Sequence, residues 1–206
     1  MSILETFRDE ARRRGVLGPQ EPVTLHAAYR LVRDLPYARS TDAAPDTVVR
    51  EWRGTAVGKH ALLAALLQAL GYDAAVMLAT QYFSASGAPW LPPALREEAG
   101  ARPVPDVHAF LRVCHDPVAD EWMTVDATWP LAARSLGLPV NEVLQPGVDQ
   151  RIGCEIEELF HVPDDEDPAE VTARILALHS GDEAARRETF IDAIAAWLSS
   201  SGEDVR

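Results

Sequence analysis

The sequence predicts an α+β domain, because helical patterns come first, an antiparallel strand meander follows, and helical patterns return. Three observations carry this. Residues 56–70 are almost continuously apolar, with Gln68 the one polar residue between Ala61 and Leu70, as expected of a helix buried on every side. Segments 73–80, 107–113 and 122–125 then read as strands, the last two joined by a hairpin connection at 115–120. An acidic turn at 163–167 leads into two closing helices.

Each element has a local reason. Residues 2–14 place Ile3, Phe7 and Ala11 at helical spacing and stop at Gly15; residues 24–35 do the same with Leu25, Ala28, Tyr29 and Val32, stopping at Pro36. A short helix follows Pro45-Asp46 to Trp52. Thr55 is the expected N-cap of the buried helix and Gly71 its stop. Residues 81–105 hold five prolines and two glycines, which predicts a long excursion of the kind that serves as a lid. Residues 150–162 add an irregular strand. Asp167-Pro168-Ala169-Glu170 supplies an acidic cap, a first-turn proline and a glutamate three residues after the cap, and the last helix covers about 182–198. No internal repeat or boundary divides the chain, so 1–206 is expected to be one domain, with an acidic helical extension at about 163–200.

Composition narrows the function. Of 206 residues, 47% are hydrophobic and 25% charged, with 19 Lys and Arg against 32 Asp and Glu, a net charge of −13. This is globular composition, and an acidic chain is not expected to bind nucleic acid, whose phosphates require basic surface. No apolar run approaches the roughly 18 residues of a membrane span, and charges near the N-terminus argue against a signal peptide. The expectation is a cytoplasmic protein without a membrane partner. Two cysteines, Cys114 and Cys154, are too few for a disulfide framework. No zinc-like spacing completes Cys114-His115, so neither metal nor cofactor is expected. Lys59 is the sole lysine and Asn141 the sole asparagine, a bias expected of a GC-rich, bacterial-type genome. Residues 155–206 carry 14 acidic side chains against 4 arginines, consistent with a solvated acidic layer.

Three segments combine into one chemical pattern: Gly54-Thr55-Ala56 where the buried helix begins, His108-Ala109 near the start of one strand, and Val125-Asp126-Ala127-Thr128-Trp129 at the end of its antiparallel neighbour. A His opening one strand and an Asp closing the next lie at the same end of a hairpin, within reach of each other. An imidazole oriented by a carboxylate is the base half of a catalytic triad. A helix N-terminus is where unpaired N–H groups and the helix dipole would activate a thiol and stabilise an oxyanion.

This layout resembles the transglutaminase-like superfamily, on the papain-like cysteine-protease fold, over about residues 25–130. The upstream stretch Ala28-Tyr29-Arg30-Leu31-Val32-Arg33-Asp34-Leu35-Pro36-Tyr37 is similar to the family's preceding helix. The resemblance implies a buried helix packed on an antiparallel sheet, a peptide or protein amide as ligand or substrate, and Cys-His-Asp acyl transfer or amide hydrolysis, with His108 as base and Asp126 fixing its tautomer. The position of the family cysteine is Ala56. A methyl group cannot attack a carbonyl, so the chain as written lacks the nucleophile.

Three functions follow as expectations: a non-catalytic member with a retained peptide- or amide-binding cleft; a thiol acyltransferase, amidase or peptidase whose Cys was replaced by Ala, naturally or by engineering; or an interaction module using its acidic helices. Thr55 is better read as a cap than as a substitute nucleophile. Cys114 lies six residues beyond His108, roughly 20 Å along a strand, too far to use that base. Cys154 reads as a small buried residue. Beyond the triad positions, Trp52, Thr55, Lys59, His60 and Trp129 are candidates to line the cleft. For Trp52 and Trp129 core packing is the rival reading, and for His60 a bond to a buried carbonyl. Lys59, a cation in the first turn, opposes the helix dipole and is expected either in solvent or paired with an anion such as a substrate carboxylate.

Overall fold

The computed structural model describes residues 1–163 and 165–203. Four helices come first: α1 (Ile3–Arg13), α2 (Leu25–Arg33), α3 (Pro45–Glu51) and α4 (Ala56–Ala69). Strand β1 (Ala74–Phe83), helix α5 (Pro93–Ala101), strands β2 (Val104–Asp116) and β3 (Glu121–Val125), and strand β4 (Glu158–His161) follow; α6 (Pro168–Ser180) and α7 (Ala184–Glu203) close the chain. The strands form one antiparallel sheet in the order β3-β2-β1-β4. The fold is α+β, with a central helix against the sheet and helices at both ends.

Local sequence sets the ends of these elements. Ser2 caps α1 through a reciprocal exchange with Glu5, satisfying two otherwise unpaired N–H groups. The Thr24 side chain accepts from Ala27 N–H at the start of α2. Asp167 caps α6 by accepting from Ala169 N–H at 2.7 Å. In the acidic turn at 163–167, residue 164 lies outside the described residues.

Helix α4 forms the centre. Leu62, Leu63, Leu66 and Leu67 are fully buried and belong to one apolar cluster with Phe7, Val32, Val48, Leu78, Leu111 and Val125. Burying one such leucine contributes roughly 1.5–3 kcal/mol, which outweighs any propensity term. On β2, Val107, Ala109, Leu111 and Val113 belong to this cluster. Side chains alternate along a strand, so Asp106 and His108 leave from the opposite face. A second cluster gathers Tyr37, Phe83, Val104 and Trp129 under Phe190, Ile191 and Ile194 of α7. The acidic C-terminal region is therefore packed into the domain through its apolar face.

The 81–105 excursion is corrected. Strand β1 continues to Phe83 and β2 already begins at Val104, with α5 between them. Pro93 starts α5, where a missing N–H removes nothing the helix would use. Pro105 is tolerated inside β2 because β3 pairs only from Leu111 onward, leaving that edge of the strand open at Pro105.

Candidate functional site

The first turn of α4 is sewn to the segment after β3 by its own side chains. Thr55 occupies the N-cap position, as expected, in extended backbone, although its side chain makes no cap hydrogen bond. His60 is fully buried. Its Nδ1–H donates to Ala56 O at 2.8 Å and its Nε2 accepts from Ala127 N–H at 2.8 Å. One nitrogen must be a donor and the other an acceptor, so the ring is neutral. Burial pushes its pKa down to about 4.

Lys59 is also fully buried. Its ammonium donates to Arg33 O at 2.7 Å and to Thr128 O at 2.8 Å. The expectation of a solvated or anion-paired lysine is corrected: its partners are two backbone carbonyls, at the end of α2 and after β3. Burial lowers its pKa to about 7, against the opposing pull of Asp34 and Asp126.

His108 and Asp126 are 2% and 3% exposed. The sequence placed His108 at the opening of its strand; it is the fifth residue of β2, and Asp126 directly follows β3. His108 Nε2–H donates to Asp126 Oδ2 at 2.8 Å. Gly153 N–H donates to the same oxygen at 2.7 Å, and Thr128 N–H to Oδ1 at 2.9 Å. Burial alone would raise the Asp126 pKa; the charge and hydrogen bond of His108, with Gly153 N–H, hold it well below the usual carboxylate range. With Nε2 engaged by Asp126, His108 Nδ1 has no hydrogen-bond partner among the described residues. The His60 and His108 ring centroids are 6.4 Å apart, so one buried imidazole links the carbonyl of Ala56 to the surroundings of the other.

The two tryptophans separate. Trp129 lies beside the pair, packed on Tyr37 and Trp90 with ring centroids 4.6 and 5.1 Å away. Its Nε1 is buried without a hydrogen-bond partner among the described residues. Trp52 instead stacks on Phe7 of α1 at 5.6 Å, under the Arg14 guanidinium, and serves helix packing.

Sequence reasoning missed what holds and covers the pair. Asn141 Nδ2 donates to Asp126 O and Arg151 O, and Gln150 Oε1 accepts from Asp126 N–H. A Cβ on Gly153 would stand 3.0 Å from Trp129 Nε1, 3.4 Å from Asp126 Oδ2 and 3.4 Å from His108 Cε1. Residue 153 thus lies directly on the pair, and a side chain there would need Trp129 to give by a few tenths of an ångström. Cys154 follows on the same segment, its thiol pKa pushed far up by burial and by Asp126 and Asp106. The singular Asn141 was the one signal available, and it read as codon bias. Asp106, next to His108 on the same face of β2, receives Gln81 Nε2–H at 3.0 Å and a two-pronged contact from Arg187 of α7 at 2.7 and 2.6 Å.

A cavity of about 800 Å³ lies between the Pro130–Leu136 turn and Leu198 of α7, away from His108. Among the described residues no group of three or more His, Cys, Asp or Glu could hold a metal ion, and no helix is long and apolar enough to cross a membrane. No protein-family model, curated protein or solved structure matches the chain.

Proposed function

We propose that this chain is a non-catalytic transglutaminase-like domain that binds a peptide or protein amide at the place bordered by Ala56, His108 and Trp129. The observation that carries this reading is the buried His108–Asp126 hydrogen bond, which leaves His108 Nδ1 without a hydrogen-bond partner among the described residues. Among those residues Trp129 Nε1 is a buried donor without an acceptor, and an unpaired buried polar group is costly. An amide carries a carbonyl for Trp129 Nε1, and both a donor and an acceptor with which His108 Nδ1 can pair. In an active Cys-His-Asp site the thiol would stand at position 56, His108 would take its proton and return it to the leaving amine, and Asp126 would hold the imidazole. With a methyl at Ala56, binding remains and bond cleavage does not.

The second reading is a thiol acyltransferase, amidase or peptidase whose cysteine was changed to Ala56. The organised surroundings of Ala56 favour it, since His60 and Lys59 hold the α4 N-terminus and the Asp126 segment in one frame. The acidic-module reading is weaker, because α7 spends Phe190, Ile191 and Ile194 on the domain's own core.

Ala56→Cys tests both. The expected thiol pKa, taken from the pH midpoint of iodoacetamide alkylation at position 56, lies well below the free value of about 8.5. An ordinary or raised midpoint would overturn the triad-derived site. Amide hydrolysis or transfer by this variant would select the enzyme reading. The unaltered chain should give no covalent adduct with an electrophilic amide analogue at Thr55 or Ala56.

A further inference from the structure

We propose that residues 152–156 form an autoinhibitory strap whose backbone at Gly153 occupies the amide site in cis, so that a ligand reaches His108 only when the strap swings away. This rests on the amide-binding reading above and adds its regulation.

The strap is pinned at its ends and held at one point between them. Gln150 N–H donates to Thr124 O at 3.0 Å, Arg151 N–H to Asn141 Oδ1 at 3.2 Å, and Glu157 N–H to Thr80 O at 2.9 Å. Between Arg151 and Glu157, the hydrogen bond made among the described residues is Gly153 N–H to Asp126 Oδ2. That oxygen is the one that orients His108. A peptide N–H of the chain itself therefore stands on the triad carboxylate, and a Cβ added at its Cα would stand tight on Trp129 Nε1, at 3.0 Å, and in ordinary contact with Asp126 and His108, at 3.4 Å.

The geometry also makes the strap displaceable. Residues 152–157 belong to no helix or strand, and residues 155–157 are exposed. Opening breaks one charge-assisted hydrogen bond and leaves both anchors intact. Segments with so few fixed backbone bonds open locally, well below the free energy of global unfolding. Opening would uncover Trp129 Nε1 and the face of His108 together, and an incoming peptide N–H could replace that of Gly153 on Asp126.

The test uses two measurements. In the unaltered chain, hydrogen exchange of the Gly153 amide is compared with that of Leu111 in β2 over a range of urea below the unfolding transition. Exchange at Gly153 at least a hundredfold faster and independent of urea is expected. Exchange at both sites through one urea-dependent opening would overturn the strap. In the Ala56→Cys background, Gly153→Ala should raise the high-pH plateau rate of iodoacetamide alkylation at position 56 at least tenfold without moving the pH midpoint. An unchanged plateau in the folded variant would overturn the strap and leave the site reading standing. A midpoint that was never lowered would instead count against the site reading. Should Gly153→Ala fail to fold, the exchange measurement decides alone.

Discussion

The Lys59 ammonium and the Thr128 carbonyl meet at 2.8 Å with no exposure to solvent. The sole lysine of the chain therefore has a structural assignment. It joins α4 to the segment that carries Asp126 and, through Arg33 O, to the end of α2. An ammonium with three donors and two carbonyl acceptors is held mainly by position, and desolvation lowers its pKa to about 7.

Lys59→Met should therefore destabilise the fold by about 1–3 kcal/mol at pH 7, since two buried carbonyls lose their donor. The pH dependence separates this from a packing loss. The folded pKa of about 7 lies below the ordinary 10.5, so the unfolded chain binds more protons between those values. Stability contributed by this group rises with pH across that window. Urea melts at pH 7 and pH 9.5 should show the rise in the unaltered chain and its absence in Lys59→Met.

His60 gives the complementary case. Its folded pKa of about 4 lies below the ordinary 6.5, so the unfolded state again binds more protons, here between pH 6.5 and 4, and stability falls as the solution is acidified through that range. His60→Leu leaves Ala127 N–H unpaired and takes the imidazole donor from Ala56 O, and should lose about 1–3 kcal/mol at pH 7. The gap to the unaltered chain should narrow toward pH 4, where keeping the imidazole neutral becomes unfavourable. Chemical denaturation at pH 7, 5.5 and 4 measures both slopes. A constant gap would argue against the neutral, doubly bonded ring.

What the sequence made legible follows from the range of the forces involved. The apolar stretch of α4, the caps at Asp167 and Gly71, and the short strand-like runs of β2 and β3 on either side of the 115–120 turn are local patterns, and those elements could be placed. The meeting of His108 with Asp126 followed from hairpin geometry. The burial of Lys59 did not, because a lone lysine in a first turn ordinarily faces water; its partners are 26 and 69 residues away. The 81–105 segment misled because prolines that break strands also begin helices. Gly153 and Asn141 lie on an irregular stretch with no periodicity to read, and their role depends wholly on tertiary contact with Asp126.

Asp126→Asn examines the centre of that contact. Oδ2 accepts from both His108 and Gly153, while Oδ1 accepts from Thr128. An amide group offers one oxygen where the carboxylate offers two, so whichever way it turns, its NH₂ confronts an existing donor. The expected loss is about 1–3 kcal/mol, with faster exchange of the Gly153 amide. Asp126 is held below its ordinary pKa of 3.8 when folded, so its contribution is present above that value and lost as pH falls from it through the lower folded value. The variant should lack this acid-dependent loss. Retention of both the stability and the Gly153 protection in Asp126→Asn would mean that the carboxylate is not the hub of the site.

The Asp106–Arg187 pair tests whether the C-terminal helix is part of the site's framework. Asp106 shares a face of β2 with His108, and its carboxylate is 6% exposed against 17% for Arg187. Gln81 supplies a third donor. Removing one partner leaves the other charge desolvated, which typically loses about 3–5 kcal/mol, so Arg187→Ala should be strongly destabilising. Arg187→Met in combination with Asp106→Leu removes both charges and keeps apolar volume, and should recover much of that loss. The informative readout is protection of the Gly153 amide, which donates to the carboxylate that orients His108. If α7 acts only as a cover through Phe190 and Ile191, Arg187→Ala should leave exchange of that amide unchanged. If the pair fixes the end of β2 on which His108 sits, Arg187→Ala should weaken its protection. Since Asp106 and His108 are two residues apart on one strand, the second outcome is expected, with protection returning in the double variant.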